Sequence, residues 1–131
     1  MRFNKRFIFL LLLPSFAFAT DEKTAKTNVS KELAVCAAYF FIGSEVAKKN
    51  GDAELANSIK TTADVALVAS IKLSDKDTST STLKLAIQDH QRLINNDSNN
   101  IGILIRKYKT LCKELIANPK KRIDFWVEQK K

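Results

Sequence analysis

Between Ser30 and Asn50, apolar residues recur at the spacing of an α-helix. At 100° per residue, Leu33, Val35, Cys36, Tyr39, Phe40, Ile42, Gly43, Val46 and Ala47 fall on one broad arc. Glu32, Glu45, Lys48 and Lys49 lie outside it or at its edge. An arc that wide predicts a helix touching two neighbours, as in a bundle. Phe41 breaks the pattern: it falls on the opposite side with Ala34, Ala38 and Glu45. A Phe there is either covered by another segment, the terminal stretch with Phe125 and Trp126 being the candidate cover, or left as an anchor for a partner.

The rest of the chain reads as further helices. Asn50-Gly51-Asp52 supplies a left-handed helix stop and a cap for a second helix, from about Ala53 to Leu73. Its apolar face is Leu55, Ile59, Ala63, Ala66, Ala69 and Leu73, with an alanine-rich middle that lets a neighbour approach closely. Ser74 to Thr82 is polar and rich in hydroxyls, which predicts the main interhelical loop. A third helix then places Leu83, Ala86, Ile87, His90, Leu93 and Ile94 on one side. Asn95 to Asn100 predicts a connection, an unbroken helix through it being the alternative. The fourth helix has the cleanest pattern: Ile101, Leu104, Ile105, Tyr108, Leu111, Cys112, Leu115 and Ile116. Asn118-Pro119 stops it, and a short last helix runs from Lys120 to about Glu128 with Ile123, Trp126 and Val127 inward. The fold class expected is all-α: an up-down-up-down four-helix bundle with a short C-terminal helix.

Residues before the first helix change the setting. Met1 to Arg6 carries Arg2, Lys5 and Arg6 and no acid, Phe7 to Leu13 is apolar, and Ala17-Phe18-Ala19 offers small residues where a signal peptidase reads. Residues 1–19 therefore read as a secretory signal peptide cleaved between Ala19 and Thr20, giving a periplasmic or secreted product. The apolar run is too short for the roughly 20 residues of a membrane-spanning helix. Residues 20–29 lack apolar periodicity and read as a flexible lead-in, leaving 30–131 as a single helical domain. In an exported chain, the two cysteines predict one disulfide, Cys36 to Cys112. In the expected bundle, the start of the first helix and the end of the fourth lie at the same end, so topology and disulfide agree.

Charge is unevenly spread. Without Arg2, Lys5 and Arg6, 19 basic residues face 14 acidic ones. Residues 20–105 carry 10 basic and 11 acidic side chains, whereas 106–131 carry 9 and 3. Arg106, Lys109 and Lys113 share a stripe of the fourth helix, and Lys120, Lys121 and Arg122 follow, with Lys130 and Lys131 at the end. Such a surface attracts acidic proteins, envelope phospholipid or lipopolysaccharide; after export, nucleic acid is not the expected partner.

The inventory offers little for catalysis. His90 is the one histidine, and Asp89, about 100° away on a helix, is poorly placed to orient it. Gly43, Gly51 and Gly102 form no phosphate loop, and no histidine pair has metal spacing. A haem bundle lacks a CxxCH motif and, without the leader, any Met. No metal or cofactor is expected. The function expected is that of a small exported non-catalytic binding protein of inhibitor, immunity or envelope-accessory type. It would act on a protein or an anionic surface through Phe41, the basic C-terminal stretch or both. The alternatives are a carrier of a small apolar ligand in the bundle core and an enzyme using His90.

Overall fold

The computed structural model describes residues 21–129; the leader expected over 1–19, and Lys130 and Lys131, lie outside them. The described residues form helices α1 (Glu22–Lys49), α2 (Ala53–Leu73), α3 (Lys76–Leu93), a 3-10 turn (Ser98–Asn100), α4 (Gly102–Ala117) and α5 (Pro119–Glu128). Among them there is no strand. The all-helical class is as expected. One boundary is not: the lead-in expected over 20–29 is helix from Glu22 onward, capped by Asp21, whose carboxylate accepts from Thr24 N–H at 2.7 Å. Ala25 and Val29 are fully buried there and extend the stripe of Leu33 and Cys36 by one residue per turn. A stripe of only two apolar residues among polar ones is too sparse to stand out as a pattern.

α1 is the hub, packing on every other helix and most extensively on α2 and α3. The α1–α2 turn closes as expected. Gly51 takes a φ of +83°, Gly51 N–H donates to Lys48 O at 3.1 Å and Asp52 N–H to Ala47 O at 3.0 Å. These are the paired bonds of a Schellman stop, and Asp52 then caps α2 through Leu55 N–H at 3.0 Å. The helices return antiparallel: Ser44 Oγ donates to Ala56 O at 2.7 Å, and Ser30 Oγ to Ser70 O at 2.8 Å. A hydroxyl reaches a neighbouring helix's carbonyl only where the backbones lie close. Fully buried Ala34, Ala37 and Ala38 on α1 and Ala63 and Ala66 on α2 permit that closeness. Leu55, expected on the inner face of α2, is 48% exposed.

The polar stretch 74–82 corrects a second expectation. It is not a loop: Asp75 caps α3 through Thr78 N–H at 2.7 Å, and helix begins at Lys76. Its hydroxyls serve the interior. Ser30 Oγ lies 2.6 Å from Ser74 Oγ, Ser70 Oγ lies 2.8 Å from Ser79 Oγ, and Ser70 Oγ donates to Ser30 O at 2.6 Å. Ser30, Ser70 and Ser79 are fully buried, and each hydroxyl has partners, which is the condition for burying polar groups cheaply. A serine-rich segment thus reads as solvent-facing although it forms an internal knot between α1, α2 and α3.

Further along α3, Ala86, His90 and Ile94 face inward, but Leu93, expected beside them, is 43% exposed. Asn95 and Asn96 both take positive φ and stop α3, so α3 and α4 are separate helices. α4 is then tied to α1 by the expected Cys36–Cys112 disulfide, with Cα atoms 5.5 Å apart. Tyr39 and Tyr108, one turn away on each helix, have ring centroids 5.9 Å apart. Leu33, Ile94, Leu104, Leu115 and Ile123 close the core around the disulfide. No helix among the described residues is long and apolar enough to cross a membrane.

Candidate functional site

Two features of the surface could do chemistry or binding. The first is the outer side of α4 and α5. α4 turns Leu104, Cys112 and Leu115 inward. The opposite side shows Arg106, Lys109 and Lys113 to solvent, with Ile103 and Lys107 beside them; Ile105 and Leu111 border the buried stripe on its two edges, and the three aliphatic side chains are each between 37% and 40% exposed. On α5, Lys121 and an exposed Phe125 lie against α4 beside Leu111, whereas Lys120 lies toward the start of α1 near Glu22 and Lys26. Among the described residues no carboxylate lies within 4.0 Å of Arg106, Lys109, Lys113 or Lys121, whereas Lys120 pairs with Asp124 at 3.1 Å. A small groove of about 150 Å³ runs between the helices, lined by Leu111, Glu114, Leu115, Lys121, Arg122 and Phe125.

Arg122 differs from the other basic residues singled out by the sequence. Its Nε and Nη2 donate to the two carboxylate oxygens of Glu32 at 2.8 and 3.0 Å, and Trp126 Nε1–H donates to Glu32 Oε1 at 3.1 Å. The guanidinium also lies 4.5 Å from the Phe125 ring centre and 5.5 Å from that of Trp126. The hydrogen bonds to Glu32 hold it more firmly protonated than a free arginine. Arg122 therefore fastens α5 to α1. Neither Glu32 nor Trp126 stood out in the sequence as functional; the one hint was Arg and Trp four residues apart on a short amphipathic helix.

The second feature is an apolar groove of about 270 Å³ where α1, α2 and the start of α4 meet. Tyr39, Phe40 and Gly43 come from α1, Leu55 and Ile59 from α2, and Ile101 and Ile105 from α4. It opens at the surface and is not the enclosed core cavity that a bundle carrier would use.

Phe41 is half-buried. Ala34 and Ala38 on its side of α1 are fully buried, so other chain covers that side. Phe125 and Trp126, the expected cover, sit at the level of Glu32, nine residues or about 13 Å along the helix from Phe41.

His90 is 2% exposed. Its Nε2 lies 3.2 Å from Val35 O, and its ring centre is 4.7 Å from that of Tyr108. Nδ1 is buried with no partner. Burial is the largest cause pushing its pKa below the usual histidine value, so the ring is neutral near pH 7, with Nε2–H donating to Val35. Because the folded pKa is depressed, the histidine's contribution to stability is complete above its ordinary value of about 6.5 and is lost as pH falls below it. Melting temperature is therefore expected to fall between pH 7.5 and 5 and to fall less in a His90→Phe variant. Equal slopes in the two proteins would show that His90 is not the titrating group. Among the described residues, no three His, Cys, Asp or Glu side chains cluster closely enough to hold a metal ion.

Comparisons with protein-family models, with curated proteins and with solved structures gave no match.

Proposed function

We propose that this chain is a small exported, non-catalytic binding protein that acts in the periplasm or outside the cell. Its scaffold is read as an up-down-up-down packet around α1, and its partner as an anionic surface of the envelope. The observation that carries the reading is the outer side of α4: four exposed basic side chains, among described residues unpaired with any carboxylate, with exposed Ile103 among them and exposed Ile105 and Leu111 at the margins of the buried stripe. Basic groups draw the protein to an anionic layer, and the aliphatic side chains gain by entering its apolar margin. Arg106, Lys109 and Lys113 form this surface with Lys121 beside it, Lys120 being paired with Asp124 toward the start of α1, and Arg122 holds α5 in place for it. A non-catalytic role agrees with a His90 ring buried against Tyr108 and hydrogen-bonded to backbone.

Binding to vesicles of mixed neutral and anionic phospholipid tests this. Each basic residue near such a surface contributes about 1 kcal/mol, so Lys109→Gln with Lys113→Gln should weaken binding roughly 30-fold. Affinity should also drop steeply between 50 and 300 mM salt, as exposed charges are screened. Binding that ignores both the salt and the double substitution would remove the anionic surface from the account.

A further inference from the structure

α5 is seated on the packet differently from the other helices. Ile123 is its one buried residue, and Trp126 and Val127 are only partly covered. An open crevice lies along each side of it. The larger, about 510 Å³, separates α5 from the first turns of α1, with Glu22 and Lys26 on one wall and Ile123 and Val127 on the other. The smaller is the groove against α4. Between them the attachment is polar: Arg122 Nε and Nη2 and Trp126 Nε1 all donate to the Glu32 carboxylate, at 2.8, 3.0 and 3.1 Å. Asn118, with φ −150° and ψ 79°, breaks the helix between α4 and α5, and no helix follows α5 among the described residues. α5 can therefore swing about this one joint without dragging another helix with it.

Off the packet, α5 has the pattern of a helix that lies in a lipid interface. Ile123, Trp126 and Val127, at spacings of three and four, make an apolar arc about 100° wide. Lys120 and Arg122 flank that arc on its two sides, while Asp124 and Glu128 fall on the far side. Flanking basic side chains reach up to head groups as the arc enters the acyl margin, where tryptophan is favoured. Residues 119–131 carry five basic side chains against two acidic ones, so the segment is drawn to negative charge once Glu32 is left behind.

The latch indicates what could replace it. Arg122 presents a two-donor fork to two carboxylate oxygens, and the phosphate of a phospholipid offers two oxygens to the same fork. Exchange of Glu32 for lipid phosphate leaves neither guanidinium donor unpaired.

We propose that α5 is a releasable anchor for an anionic phospholipid bilayer. At the bilayer, Arg122 exchanges the Glu32 carboxylate for lipid phosphate, and Ile123, Trp126 and Val127 leave the packet and enter the interface. This rests on the reading of the protein as a binder of anionic surfaces. The basic side of α4 makes the first contact with α5 still latched, and the Cys36–Cys112 bond keeps α1 and α4 together when α5 leaves.

Trp126 is the chain's one tryptophan, so its fluorescence reports α5 alone. The test mixes the full mature protein with vesicles of phosphatidylglycerol and phosphatidylcholine whose acyl chains carry bromine, a contact quencher. Sedimentation measures attachment separately. Attachment with quenching of Trp126 is expected, and neither is expected on phosphatidylcholine alone. Attachment without quenching overturns the anchor and leaves the surface reading standing; no attachment overturns both. This readout uses the unsubstituted protein and so does not depend on how a variant folds. Glu32→Gln then tests the latch, with Glu22→Gln as a variant of equal charge on the exposed first turn of α1. A latched α5 lowers apparent affinity by the fraction released, so Glu32→Gln should tighten attachment about tenfold beyond Glu22→Gln. Equal affinities in the two variants would overturn the latch.

Discussion

Replacing Cys36 and Cys112 together with Ala is expected to lower the stability of the folded chain by about 4–5 kcal/mol. The bond closes a loop of 76 residues, and restricting a loop of that length in the unfolded chain accounts for a loss of that size. For a domain whose total stability is ordinarily about 5–15 kcal/mol, this is a large fraction. With about 1–2 kcal/mol per molar urea for a domain of this size, the unfolding midpoint should fall by about 2 M or more. Alanine is the proper replacement, since both sulfurs are buried in the core and a serine would strand a hydroxyl there. A midpoint shifted by only a few tenths molar would show that the packing of α1 against α2 and α3 holds the fold without the clamp.

Glu32→Ala should produce the second large effect. It removes the carboxylate that receives three hydrogen bonds from α5 and leaves the Arg122 guanidinium and the Trp126 N–H without partners. The Arg122 side chain is 30% exposed, so water compensates only in part, and the loss is about 2–3 kcal/mol. The damage should be local. α5 has one fully inward residue, Ile123, so its amides should lose hydrogen-exchange protection while those of α1 and α4 near the disulfide keep theirs. Uniform loss of protection would mean that α5 is integral to the core and not a latched segment. Arg122→Ala should have a smaller effect, because Trp126 then still donates to Glu32 and the freed carboxylate can reach water.

These two contacts differ in how readable they were. The disulfide followed from two cysteines and the expectation of export, and both its pairing and the helices it joins stand in the structure. The α1–α2 turn was equally plain, because Asn-Gly-Asp encodes a left-handed stop and a cap in adjacent residues. The Ser30–Ser70–Ser74–Ser79 knot was hidden because serine hydroxyls bond equally well to water or to one another, and only the tertiary fold decides which. Leu55, Leu93 and Ile105 sit at helical spacings that suit burial, yet they stay partly exposed because α1 takes most of the packing and α2, α3 and α4 touch one another less. Of the candidate site, the basic stripe was legible from charge alone. The groove was not, since it depends on where α4 begins relative to Gly43 and Ile59, a matter of packing and not of pattern.

The compartment decides what an exposed basic face meets: lipid and acidic envelope surfaces outside the cytoplasm, nucleic acid within it. Intact-mass spectrometry of the natural protein, isolated under non-reducing conditions with free thiols blocked, reads that compartment directly. The account predicts a chain beginning at Thr20, two hydrogens lighter than its reduced form and unlabelled at both cysteines. A chain that keeps residues 1–19, or one with Cys36 and Cys112 both labelled, would contradict it.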